Sequence, residues 1–214
     1  IEDFQLLFYI IQPPTPERVK YDIFDRVNRG GTPLNKQEMR NALYRGRCTR
    51  MLDKLCCSPE FLIATGRSIN KERMKDQYVV LRAIAFLMLH RGEFKDIPAL
   101  QYRGDIDDFL ARFMVYVNDN APEKLIVDYE NLFIRCMQIS YDLLGENGFR
   151  FSGNGIRRPI NMPLFEALSY LFSFVPEKID YTWASRLILD IESVKEEFDD
   201  SRYFSGNIDS TTSV

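Results

Sequence analysis

A single histidine, His90, stands in the whole chain, and its isolation excludes more chemistry than any other feature of the sequence. Catalysis on a histidine pair, and metal centres with several imidazole ligands, need residues this chain does not have. Cysteine is nearly as sparse: Cys48, Cys56, Cys57 and Cys136 make one adjacent pair and two distant singles. That spacing is neither a disulfide framework nor a C-x-x-C zinc site, and it fits reduced thiols in the cytoplasm. Charge of one sign is also lacking. The 28 Lys and Arg face 31 Asp and Glu, a net charge of -3, which excludes a globally basic nucleic-acid binder but leaves room for a local basic face. The apolar runs at residues 4–11 and 76–89 fall short of the roughly 20 residues that span a bilayer, so no membrane partner is expected. P-loop, G-x-S-x-G, H-E-x-x-H and zinc-deaminase patterns are all missing.

What is present is apolar and patterned. Of the 214 residues, 45% are hydrophobic, enough to bury a core in one large domain or two small ones. Residues 4–11, FQLLFYII, are almost all apolar, β-branched or aromatic, as in a strand covered on both faces. One strand makes no sheet, so the expectation is a C-terminal piece of a longer protein. The alternative is a chain whose first strand is swapped or pairs with a later one. Beyond it the period is helical. Val19, Ile23, Phe24 and Val27 share a face before Gly30 and Gly31. Asn35 opens a capping box with Glu38. Short helices follow at 50–56 and 59–64, then an apolar central helix at 76–89. Asp105 caps a helix, Pro122 opens one that runs to Leu144, and Asn161 starts another. A last helix is predicted from Pro176. The fold class is therefore mainly α, a multi-helix bundle with one N-terminal β-strand. The aromatic stripes on these helices read as core.

Few residues offer chemistry, and each admits a plainer role. The S-G-N-G stretch at 152–155, followed by Arg157 and Arg158, would suit an anion, or serve only as a flexible connection. Arg45, Arg47, Arg50 and Lys54 form a short basic run that would meet a phosphate backbone, or act as a solvated face. His90, at a helix C-terminus, interacts well with the helix dipole. The acidic pairs Asp107-Asp108, Glu196-Glu197 and Asp199-Asp200 lie on helix ends or surfaces, and none is placed for acid–base work.

The most distinctive stretch is residues 24–38, F-D-R-V-N-R-G-G-T-P-L-N-K-Q-E. Physically it is a helix ending in Asn28 and two glycines, a tight turn, and a freshly capped helix whose first amides favour an anion. Asn28 either caps the turn or presents its amide to a ligand. This segment resembles the F-x-x-[IV]-N-x-x-G-x-x-L-x-x-x-E signature of the GmrSD family, modification-dependent restriction proteins of phage defence with a ParB-like N-terminal domain. The strand at 4–11, the R-M-K-D-Q-Y-V-V-L-R helix and the I-N-M-P-L-F-E-A-L segment are similar to the family's helical half. The family's nucleotide-hydrolysing D-G-Q-Q-R motif, which precedes this region, is absent, as is an H-N-H-type nuclease motif. The resemblance implies that residues 1–46 end a ParB-like α+β lobe and that 47–214 form a helical domain. It also implies that Phe24 and Asn28 lie beside a nucleotide pocket. The remaining lobe of the parent would be the partner and would hold the nucleoside triphosphate with Mg; this part would carry no cofactor and no catalysis. The alternative is a non-enzymatic helical interaction domain, or a DNA-contacting scaffold using Arg45, Arg47, Arg50, Arg157 and Arg158.

Overall fold

Local capping signals set most helix starts. Asn35 Oδ1 accepts from the amides of Gln37 and Glu38 at 2.8 and 2.9 Å, while Glu38 Oε2 accepts from the Asn35 amide at 2.7 Å, completing the predicted capping box. Asp105 and Asn161 cap in the same way, accepting from the amides of Asp108 and Leu164. A computed structural model describes residues 10, 12, 15, 17–28, 33–151, 157–176, 178 and 180–201, with backbone alone at 17, 18, 21, 25, 27, 28, 200 and 201. The expected strand at 4–11 and the S-G-N-G stretch lie outside these residues, apart from an exposed Ile10.

The described residues form nine α-helices: α1 (Glu17–Asn28), α2 (Lys36–Leu43), α3 (Arg47–Cys56), α4 (Pro59–Ala64), α5 (Lys75–His90), α6 (Ile106–Asp119), α7 (Glu123–Leu144), α8 (Met162–Phe172) and α9 (Tyr181–Ser201). The fold is mainly helical, as the periodicity predicts. Two helix starts differ from the sequence reading by more than one residue. α3 begins at Arg47, three residues before the expected start. α9 begins at Tyr181 instead of Pro176, because Asp180 Oδ1 accepts from the Trp183 amide at 2.8 Å and caps the helix there.

α5 is the axis of the bundle. Val79, Val80, Leu81, Ala83, Ile84, Ala85, Leu87 and Met88 are all buried, which only a helix covered on nearly every side permits. α2, α3, α6, α7 and α8 pack around it. Beside it α4, α7 and α8 close an aromatic nucleus. Phe61, Phe133 and Phe165 lie with ring centroids 6.1 to 6.5 Å apart, and Phe149 approaches Phe165 at 4.2 Å. The four cysteines are free thiols. Burial pushes the Cys136 thiol up to about 12 and raises those of Cys48 and Cys56 as well, so all three stay protonated. No helix among the described residues is long and apolar enough to cross a membrane.

Candidate functional site: the anchored signature helix and its groove

The signature segment meets the helical body through α2. Arg73, just before α5, donates from Nη2 to the Pro33 carbonyl at 2.7 Å and to Glu38 Oε2 at 2.9 Å. In return Asn35 Nδ2 donates to the Arg73 carbonyl at 2.7 Å. The hydrogen bond from Arg73 holds the Glu38 carboxyl below the usual carboxylate range, with partial burial opposing it. Arg73 and its neighbour Met74 both adopt left-handed backbone conformations, with φ of 56° and 58°. Such a conformation costs a non-glycine residue roughly 1 to 2 kcal/mol, and two in a row persist only where surrounding contacts demand them. Here the contacts of Arg73 reach Pro33, Asn35 and Glu38 of the signature, and Asn41 Nδ2, further along α2, donates to Met74 Sδ at 3.1 Å.

The other side of α2 carries a buried charge. Arg40 has no exposed surface. Its Nε and Nη2 donate to Gln37 Oε1 at 3.1 and 2.9 Å, its Nη1 donates to Asp107 Oδ1 at 2.8 Å, and its guanidinium lies 5.6 Å from the centre of the Tyr78 ring. Lys36 pairs with the same Asp107. Burial raises the Asp107 carboxyl, but the donors from Lys36 and Arg40 outweigh it and hold the group below its ordinary value. A third set of contacts runs from Gln37 to Asn41, from Asn41 to Gln77 and from Gln77 to Asp53, joining α2 to α5 and α3. α2 is thus fixed to α3, α5 and α6 by polar contacts from three directions.

Beside this anchor runs a groove of about 990 Å³ along α6. Leu100, Ala111 and Val115 give it apolar walls, and Lys36, Asp107, Asp108 and Arg112 line it with charge. Its ionisable lining is acidic by one charge. Asp22, Asp105, Asp107 and Asp108 outnumber Lys36, Arg103 and Arg112, and Arg112 already donates to Asp108 and to the Ala99 and Gln101 carbonyls. No cluster of three or more metal-ligating side chains occurs among the described residues.

The residues singled out by sequence fall in three places. Phe24 is half-buried in α1, and Asn28 is the last residue of that helix, its side chain outside the described atoms. Arg45 and Arg50 are exposed, whereas Arg47 donates to the Ala121 carbonyl and to Glu123 at 3.0 and 2.8 Å. Lys54 pairs with Glu130. Arg157 pairs with Glu146 at 3.0 Å; Arg158 pairs with Asp199 and lies over Phe151. Arg47 sits at the start of α7 and Arg157 just beyond its end, and 22 helical residues span about 33 Å. The basic residues therefore form two separate clusters at opposite ends of the longest helix described. His90 ends α5 as expected, its ring between Phe86 and Tyr170.

Sequence reasoning passed over Arg40 and Arg73, and read Asp107 only as one of an acidic pair on a helix end. The available signal was an arginine on the face of α2 beside Met39, a position that asks for a buried counter-ion. Comparison of the chain with protein-family models, with curated proteins and with solved structures finds no match.

Proposed function

We propose that the chain is the helical, non-catalytic portion of a nucleotide-dependent, GmrSD-like modification-dependent restriction protein of phage defence. In this reading a further lobe carries the nucleotide chemistry, and this portion shapes the pocket from the side of Phe24 and Asn28. One observation carries the reading: α2, the second helix of the signature-like segment, is held by Arg73, by the Arg40–Asp107 pair and by the Asn41–Gln77 contact. A helix held this way keeps a fixed position against α3, α5 and α6, as a pocket wall must. The acid-rich α6 groove is left out of the nucleotide site, so the phosphate contacts fall to the parent's other lobe. Two measurements test the reading. The coding sequence upstream of Ile1 should encode D-G-Q-Q-R, and Asn28→Ala in the full-length protein should impair nucleotide turnover. Normal turnover in that variant would sink the pocket role of Asn28.

A second reading, a helical interaction domain, draws on the open apolar side chains of Phe174, Tyr181 and Leu189, which are 58%, 87% and 71% exposed. It expects partner binding by the isolated chain without a nucleotide-induced thermal shift.

A further inference from the structure

The start of α5 is not where its own sequence places one. Residues 70–75 read N-K-E-R-M-K, an asparagine followed by good helix formers, with no glycine, proline or β-branched residue among them. Asn70 already behaves as a cap. Its Oδ1 accepts from the Glu72 amide at 2.8 Å, and its Nδ2 donates to Glu72 Oε2 at 2.8 Å. Yet α5 begins only at Lys75, and Met74, in the cap position, makes no capping bond. Of residues 71–75 only Arg73 and Met74 depart from right-handed angles. Local preference and fold disagree at this junction, and such disagreements mark strained or functional sites.

The signature-like segment holds the two residues in place. Arg73 Nη2 donates to the Pro33 carbonyl and to Glu38, and Asn41 Nδ2 donates to Met74 Sδ. The Asn35 contact matters most, because its Nδ2 occupies the Arg73 carbonyl that the Gln77 amide would take in a continuous helix. That amide now donates to Asp76 Oδ1 at 2.8 Å instead. The chain leading into the junction is open to solvent: Arg67, Ser68, Asn70, Lys71 and Glu72 are exposed, and Ile69 between them packs on the core.

We propose that this junction is a two-state relay. With residues 33–38 seated on Arg73, α5 starts at Lys75. With that contact lifted, Arg73 and Met74 pass to right-handed angles, Asn70 caps, and α5 runs from Lys71. The switch adds four residues, about 6 Å, to the axis helix of the bundle. α2 keeps its Arg40–Asp107 and Asn41–Gln77 contacts, so only its first turn moves. The coupling is reciprocal: whatever binds the lifted turn lengthens α5, and whatever lengthens α5 loosens the turn. The relay goes beyond the nucleotide reading, since it holds for any ligand or partner that draws on that turn.

Two substitutions lift the turn while leaving α2 capped. Asn35→Ser keeps a capping oxygen but has no amide for the Arg73 carbonyl, and Glu38→Gln keeps a capping-box residue but no charge for Arg73. Nuclear magnetic resonance of the 214-residue chain should show Arg73 and Met74 at positive φ, by strong contacts between each residue's own Hα and amide proton. In the double variant both residues should lose those contacts, and exchange of the Lys75, Asp76 and Gln77 amides should slow at least about tenfold. Adding Met74→Gly, which favours the left-handed angle and disfavours helix, should reverse both changes. Each single substitution should move the same signals part of the way, so the relay stays open to test if the double variant fails to fold. Positive φ retained at both residues in the folded variants overturns the proposal. So does exchange at 75–77 that does not slow, or a lengthened helix that Met74→Gly leaves intact.

Discussion

Arg40 and Asp107 carry the largest energetic stake of any pair at the candidate site, because one partner is wholly buried and the other less than a third exposed. Asp107→Asn leaves the guanidinium with only Gln37, Tyr78 and a weakened acceptor, and removing one partner of a buried pair costs about 3 to 5 kcal/mol. The double variant Arg40→Met with Asp107→Asn should recover much of that loss, as urea unfolding of the two single and one double variants will measure. The pH response follows from the same contacts. Asp107 is held below its ordinary value in the folded chain, so its contribution is complete above the unfolded value of about 3.9 and is lost as pH falls through that value toward the lowered one. Stability measured below about pH 5 should fall less steeply in Asp107→Asn than in the original chain. Arg73 offers a cleaner reading of backbone strain. Arg73→Ala and Arg73→Gly both lose the bonds to Pro33 and Glu38, so they differ at the left-handed backbone alone. The glycine variant should have the higher denaturation midpoint. Equal midpoints would remove the claim of strain.

Helices were legible where their signals are local, and opaque where they are not. Asn35 with Glu38, Asp105, Asn161 and the glycine after Leu144 each act within four residues, so pattern alone located them. The pairing of Arg40 with Asp107 spans 67 residues of sequence, and that of Arg47 with Glu123 spans 76; no local pattern encodes either. The same holds for the close passage of α3 under α6. Gly46 precedes α3 at a point where an added Cβ would meet Asn118 Oδ1 at 2.5 Å, and Asn118 is held there by bonds to the Cys48 amide and the Tyr44 carbonyl. Gly46→Ala should therefore destabilise by about 1 to 2 kcal/mol, through the displaced Asn118 bonds. The aromatic nucleus joins α4, α7 and α8 more firmly. Phe165 touches Phe61, Phe133 and Phe149, and Phe165→Ala should cost about 3 to 5 kcal/mol in denaturant unfolding, with the slope against denaturant unchanged.

At the scale of the whole molecule, charge is distributed for internal pairing more than for display. A net charge of -3 from 28 cations and 31 anions says nothing about where they stand. The fold sets Arg47, Arg157 and Arg158 against Glu123, Glu146 and Asp199, and leaves Arg45 and Arg50 exposed. Exposed ion pairs of this kind contribute about 0 to 1 kcal/mol each, so they are weak as staples but still lower the positive potential a polyanion would meet. The length of α7 separates the two clusters by about 33 Å, close to ten base pairs of duplex. Contact between this chain and DNA would thus fall at one end. If a duplex binds this chain, Arg157→Gln with Arg158→Gln should leave the salt dependence of that binding unchanged, because those groups already face carboxylates. Arg45→Gln with Arg50→Gln should reduce the slope of affinity against salt by roughly two, one for each phosphate contact removed. Binding titrations across salt concentrations separate the cases: equal losses from both pairs would mean that the clusters act together, and that a duplex lies along α7 instead of meeting only its first turn.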